Sequence, residues 1–254
     1  MIESALLQEN GNGRMEPEIC SLYDELQMRQ IPVQLFVEKQ LLRKKLQLNK
    51  NILVAGYIPV VLNALRQLGI QPPKPNDYPQ SLQPFLRRRI WQSTVQDIIR
   101  GFSHIYHPID SPIFVKPCGK LKRFTGRVFE SERDLIYLEG ISKHLPVYCS
   151  EVVQWLSEYR VFVIQSKIVG IQHYGGDPSI CINEDIVVNA IACLEESGEA
   201  TAAYAIDFGV IEENQTALVE LNDGFSIGSY GLDKAVYTDL ILTRWGELTG
   251  YINN

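Results

Sequence analysis

Long hydrophobic runs are missing: no apolar stretch of the 254-residue chain approaches the ~20 residues that a membrane-spanning helix needs. The start, Met1-Ile2-Glu3-Ser4-Ala5, lacks the basic opening and apolar core of a secretory signal. Cysteines at metal or redox spacing are missing too. Cys20, Cys118, Cys149, Cys181 and Cys193 are scattered, with no CxxC, which suggests neither a zinc site nor a disulfide framework and fits a reducing compartment. There is no basic surplus: 24 Lys and Arg against 30 Asp and Glu give a net charge of -6, so the Lys/Arg cover that sequence-independent nucleic-acid binding requires is absent. Arg87-Arg88-Arg89 is too short to reverse that. His104, His107, His144 and His173 do not cluster, and none is singled out for catalysis. Repeats and low-complexity runs are also absent. The expectation is a soluble, cytoplasmic protein with no membrane or nucleic-acid partner.

What is present is an ordinary globular composition, 45% hydrophobic and 21% charged, on a chain long enough for one large domain or two to three small lobes. Residues 1–20, with Gly11-Asn12-Gly13 among polar residues, read as a mobile arm. Asn51-Ile52-Leu53-Val54-Ala55-Gly56 reads as a buried strand, and Val60, Val61, Ala64, Leu65 and Leu68 follow at helical spacing. Pro72, Pro73, Pro75 and Pro79 mark an extended linker. Ile90, Trp91, Val95, Ile98, Ile99 and Phe102 predict one helix over 83–107. From residue 113 the texture becomes short strands, over 113–116, 126–129, 147–153, 159–165 and 168–174, with helical stretches over 132–142, 185–197 and 234–248. This order is an α+β mixture built on antiparallel sheets.

The sharpest chemical signal is a hairpin, Tyr204-Ala205-Ile206-Asp207-Phe208-Gly209-Val210 followed by Ala217-Leu218-Val219-Glu220-Leu221-Asn222. A two-residue turn at Glu213-Asn214 would set Ile206 opposite Leu221, Phe208 opposite Val219 and Val210 opposite Ala217. On the other face Asp207 would then lie opposite Glu220, with Asn222 on the same side. Two carboxylates roughly 5 Å apart at Cβ repel unless something positive lies between them. Either this is a solvated face with chance acidic residues, or two carboxylates and an amide oxygen hold a hard cation such as Mg²⁺.

Three more segments carry polar chemistry. Lys116 ends an apolar strand and is followed by Pro117, and the loop Cys118-Gly119-Lys120-Leu121-Lys122-Arg123-Phe124-Thr125-Gly126-Arg127 is either a solvated basic loop or a cover for polyphosphate. Glu151, Val152 and Val153 come next, and Glu158 with Arg160 shares a face of the following strand. Glu158 could accept from ribose hydroxyls and Arg160 could reach phosphate, or the two could form a surface ion pair. Gly224, Ser226, Gly228 and Ser229 make either a tight turn or a backbone cradle for an anion.

Taken in order, these pieces resemble the ATP-grasp fold over roughly residues 110–232: a lysine ending an FVKP strand, a Gly-containing basic loop, Glu-x6-Glu, and Asp-x12-Glu-x-Asn. Lys116, Lys122 and Arg160 also resemble the clade named for one arginine and two lysines. The resemblance implies two antiparallel-sheet lobes enclosing ATP over 83–254, with a central lobe near 110–155 and a metal-binding lobe near 156–254, preceded by a small α/β domain over 21–82. It implies Lys116 and Lys122 on phosphates, the Val152–Val153 backbone beside Glu151 on adenine, Glu158 on ribose, and Asp207, Glu220 and Asn222 on Mg²⁺. Many relatives carry a basic residue two positions before the first metal carboxylate. Here that position is Ala205, read as a gap opening onto the metal site, with Arg160 supplying the charge. The implied activity is ADP-forming ligation of a carboxylate to an amine, on an amino acid, peptide or protein, and the resemblance admits a homodimer. A non-catalytic ATP-binding module and a phosphotransferase are the competing readings.

Overall fold

The computed structural model describes residues 2–102, 111–119, 124–212 and 215–250, which form three sheets. The first is parallel: β1 (Ser4–Gln8) lies between β2 (Val33–Phe36) and β3 (Ile52–Ala55), connected through α1 (Pro17–Met28) and α2 (Glu38–Leu42) and followed by α3 (Ile58–Gln67). The arm expected over 1–20 is therefore corrected. Ala5, Leu6 and Leu7 are buried in the central strand, where helices cover the sheet and short apolar runs suffice.

The second sheet is antiparallel, in the order β4 (Ile90–Thr94), β7 (Pro146–Glu151), β5 (Ile113–Pro117), β6 (Arg127–Phe129). The single helix expected over 83–107 is replaced by a 3-10 turn (Gln80–Phe85), strand β4 and α4 (Val95–Phe102). Gln92-Ser93-Thr94 pair with β7, and ladder pairing outweighs helical spacing there. A 3-10 turn also occupies Glu132–Leu138.

The third sheet runs β11 (Gln215–Asp223), β10 (Ala203–Ile211), β8 (Ser157–Ile164), β9 (Lys167–Gly176), all antiparallel. It is accompanied by α5 (Glu184–Glu196) and α6 (Lys234–Thr249). Both helices start on side-chain caps: Asn183 accepts from the Asp185 and Ile186 N–H groups, and Asp233 from those of Ala235 and Val236. A continuous core joins Leu7, Leu26 and Leu65 of the N-terminal unit to Leu240 and Trp245 of α6 and to Ala203 and Ala205 of β10. This packing sets the N-terminal unit against the loop that follows β11. Arg244 fixes α6 to the end of β11 through two bonds to Asp223 of 2.6 and 2.8 Å. Among the described residues no helix is long and apolar enough to cross a membrane.

Candidate active site

The β10–β11 hairpin pairs Ala205 with Asn222, Ile206 with Leu221 and Asp207 with Glu220. Alternation therefore puts both carboxylates and the amide on one face. Beyond Asp207 the expected register fails: Phe208 lies opposite Leu218, Gly209 opposite Ala217 and Val210 opposite Thr216, across a β-bulge. The expected turn residues Glu213 and Asn214 lie outside the described residues. A bulge frees carbonyls from the ladder, and buried carbonyls need donors. Arg88 supplies them. Its guanidinium donates to Leu218 O at 2.6 Å and Val219 O at 3.1 Å, and also to Leu86 O at 3.1 Å, while resting 4.9 Å from the centroid of the Trp155 ring. Trp155 in turn occupies the space where a Cβ on Gly209 would be.

Asp207 is 2% exposed and faces Arg160 in the β8–β10 ladder. Arg160 Nε and Nη2 donate to Asp207 Oδ1 and Oδ2 at 2.8 and 2.7 Å, a bidentate geometry that an ammonium cannot reproduce. Nη1 donates to Gly228 O at 3.3 Å, and the guanidinium sits 4.8 Å from the Tyr230 ring centroid. Burial pushes the Asp207 carboxyl up to about 6 against the pull of Arg160. Burial also works against charge on Arg160, but the Asp207 bonds outweigh it and raise the guanidinium above its ordinary value.

Glu220 meets a cation from the other lobe. Lys116, on β5 of the second sheet, donates to Glu220 Oε2 at 2.6 Å and pairs with Asp77 Oδ2 at 2.9 Å. Its ammonium lies 4.5 Å from the Tyr78 ring centroid. Burial alone would lower the lysine, but Glu220, Tyr78 and Asp77 outweigh it and hold the ammonium charged; reciprocally, Lys116 overcomes burial and lowers Glu220. The two antiparallel sheets thus meet across a cleft of about 280 Å³ bordered by Lys116, Thr125, Gly126, Glu220 and Asn222.

Asn222 Nδ2 donates to Asp207 Oδ2 at 3.1 Å and to Glu220 Oε1 at 3.2 Å. One oxygen from each carboxylate therefore already converges on a single point, and an inward turn of the amide would add its own oxygen. Hard oxygen donors in that number suit Mg²⁺ completed by water and phosphate. Among the described residues no three of His, Cys, Asp and Glu converge as a metal set; what converges here is two carboxylates and an amide.

The remaining expected residues are placed unevenly. Glu158 is opposite Gly209 and Gly175, and accepts from the Tyr174 hydroxyl at 3.2 Å. Burial raises its carboxyl, partly offset by that bond. Glu151 ends β7 with its carboxylate on the Arg89 N–H at 2.9 Å, and Val152 is exposed in the segment that leads to β8. Lys122 lies outside the described residues. Ala205 is a correction: it is opposite Asn222 as expected, but its side chain is fully buried in the core shared with α6 and opens onto no site. Sequence reasoning missed Asp77, Tyr78, Arg88 and Trp155. The basic triplet at 87–89 and the polar pair amid the prolines were the available signals.

A family profile matches residues 85–240: that of the second family in the ATP-grasp domain clade named for one arginine and two lysines. Among solved structures, the D-cycloserine synthetase DcsG is similar with a TM-score of 0.59 at 10% identity, over 98% of this chain and 99% of that one. The D-alanine–D-alanine ligase from Bacillus anthracis complexed with ATP gives 0.56 at 14%, over 98% and 99%. The ATP-grasp ligase PsnB complexed with minimal precursor gives 0.53 at 12%, over 96% and 100%. At these identities the likeness is one of fold. The comparison with curated proteins gave no match.

Proposed function

The chain belongs to the second family of the one-arginine, two-lysine clade of ATP-grasp domains, and on that footing we propose that it is an ADP-forming ligase that joins a carboxylate to an amine through an acyl phosphate. The observation that carries this reading is the meeting of the two sheets: Lys116 reaches Glu220 across the cleft at 2.6 Å, beside the Arg160–Asp207 pair and Asn222. Phosphoryl transfer asks the protein chiefly for positioning and charge neutralisation, and this cluster offers fixed cations and hard oxygens.

In this reading ATP lies in the cleft with Lys116 and Lys122 on its phosphates. The backbone of Val152 and Val153 beside Glu151 takes the adenine, and Glu158 exchanges its Tyr174 bond for a ribose hydroxyl. Asp207, Glu220 and Asn222 hold Mg²⁺, which when bound neutralises and orients the phosphates. Lys116, now on Glu220, would turn to a phosphate oxygen, and Arg160 would turn part of its fork towards the transferring phosphoryl group. A carboxylate oxygen of the substrate attacks the γ-phosphorus and the bond to the β-phosphate oxygen breaks, releasing ADP. The amine lone pair then attacks the acyl carbon; the C–N bond forms, phosphate leaves with the C–O electron pair, and the amine proton goes to solvent. Backbone N–H groups of the loop at Gly224 to Gly228 would cradle the acyl oxygen as it gains charge, the Ser229 N–H being held by Glu18.

ADP release over pooled amino acids and peptides tests the reading. Release that needs a carboxylate and an amine together is expected. A stable phosphorylated product would make the chain a phosphotransferase, and nucleotide binding without any release would make it a binding module.

A further inference from the structure

A second cavity, of about 670 Å³, lies between the N-terminal unit and the loop that follows β11. Its volume falls in the range of small-molecule sites. It shares the wall Ile58, Phe225, Ser226 and Ile227 with the cleft between the two antiparallel sheets, so a molecule held there would have its inner end next to that cleft. Gly228 borders it as well and is tied to Arg160 through its carbonyl. The loop is held in place from both sides: Ser226 Oγ donates to Gly56 O at 2.8 Å, Ser229 N to Glu18 Oε1 at 3.3 Å and Tyr237 OH to Ile227 O at 2.8 Å.

Three features of the lining are chemically distinct. Glu16, Glu18 and Glu38 border the cavity, and none of its lining residues is a lysine, arginine or histidine. Walls of low polarity concentrate such a one-signed field. Glu16 is held ionised by Tyr57 OH at 2.6 Å and Asn10 Nδ2 at 2.8 Å, which lower its carboxyl. The Glu38 carboxylate forms no hydrogen bond or ion pair among the described residues. The floor is apolar, with Ile19, Leu22 and Ile241. The third feature is Gln8, only 7% exposed. Its Oε1 accepts from the Tyr57 N–H at 2.7 Å, which sets the amide orientation and leaves Nε2 a donor with no partner among the described residues. Gly56 is what admits this side chain, because a Cβ there would lie 2.7 Å from Gln8 Cβ.

A cation, an aliphatic stem and a hydrogen-bond acceptor are what carboxylates, an apolar floor and an unpartnered amide donor select together. We propose that this cavity binds a basic amino acid, free or as a residue of a peptide, with its ammonium or guanidinium on the glutamates, its stem on Ile19, Leu22 and Ile241, and its carbonyl on Gln8. The assignment rests on the ligase reading for its place in a reaction, but not for binding.

Calorimetric titration with L-lysine and with L-norleucine separates the charge from everything else, since the two differ at one end of the side chain. With a non-hydrolysable ATP analogue and Mg²⁺ present, lysine binds at least about tenfold more tightly, as two or three half-exposed ion pairs provide, and the preference shrinks at high salt. In Glu38→Gln and in Glu18→Gln/Glu38→Gln the preference falls towards unity while norleucine affinity stays the same, which also reports that the variants are folded. Equal or tighter binding of norleucine, or no binding of either, overturns the assignment. ADP release elicited by norleucine and not by lysine would overturn it and leave the ligase standing. Preferential binding of lysine without ADP release from any carboxylate and amine pair would retain the cavity assignment and remove the ligase.

Discussion

Replacing Arg88 by methionine isolates what shapes the β10–β11 hairpin. Methionine keeps much of the aliphatic stem on Trp155 but removes the fork that donates to Leu218 O and Val219 O. Two strand carbonyls at the bulge then lose their donor, at about 1–3 kcal/mol for each buried unsatisfied group. Burial lowers Arg88 from its ordinary value, so removing the charge returns part of that cost, and a net loss of about 2–3 kcal/mol is expected. For a chain of this size that is a drop of about 4–12 °C in melting temperature. The functional consequence is more specific than the loss of stability. With the bulge unsupported, β11 can slip towards the unbulged register that pairs Phe208 with Val219, which disturbs the aim of Glu220. The Mg²⁺ concentration for half-maximal turnover should rise by roughly tenfold, the weight of a supporting contact to a metal ligand, while metal-free nucleotide affinity changes little. Arg88→Lys should be intermediate, since one ammonium cannot serve both carbonyls at the Arg88 geometry. Melting curves and Mg²⁺ titrations of ADP release provide both readouts. A melting temperature within about 1 °C of wild type together with an unchanged Mg²⁺ requirement would refute the reasoning.

Other substitutions probe the cleft. Glu220→Gln should reduce metal-dependent turnover by orders of magnitude and, because Glu220 is neutralised by Lys116, should not raise the melting temperature; wild-type turnover would remove it from the metal set. Lys116→Ala should weaken binding of an ATP analogue in calorimetry, and equal affinity would remove it from the phosphate site. Arg160→Lys should cost about tenfold to a thousandfold in turnover, with some stability lost through Asp207, and full activity would show that the fork is dispensable. Gly209→Ala should destabilise by about 1–3 kcal/mol, as for overpacking, because its Cβ would meet the Trp155 ring; an unchanged melting temperature would contradict the tight packing of the bulge.

The part of the site that follows from local rules could be read without coordinates. A period of two on each strand is enough to bring Asp207, and Glu220 with Asn222, each to one face, and matching the apolar partners Ile206 and Leu221 sets Asp207 opposite Glu220, the pairing observed there, although the register nearer the turn differs. The bulge could not be read, because Leu218 and Val219 are both good strand residues and the choice between them depends on Arg88, far away in the chain. The helix expected over 83–107 failed for a related reason: Ile90 and Trp91 continue the spacing of α4 backwards, yet β7 offers Ile90 and Trp91 a ladder. In β1 only Ala5, Leu6 and Leu7 are apolar, too few to signal a strand until two neighbours bury it. Asp77 was hidden by the prolines around it, although its backbone carbonyl accepts from Leu221 N at 2.9 Å and its carboxylate pairs with Lys116. Ala205 shows the converse: its place opposite Asn222 follows from the register, but the α6 residues that share its core leave no trace in the strand's own sequence.

Isotope transfer tests the central claim most directly. A pool of amino acids labelled with ¹⁸O in the carboxylate, including lysine, is incubated with the protein, ATP, Mg²⁺ and amines, and the released phosphate is weighed by mass spectrometry. If the carboxylate attacks phosphorus and the acyl phosphate is then opened by the amine, each phosphate carries one ¹⁸O and an equal amount of amide appears. Phosphate released without label, or released equally when amine and carboxylate are withheld, would contradict a ligase and assign the turnover to attack by water.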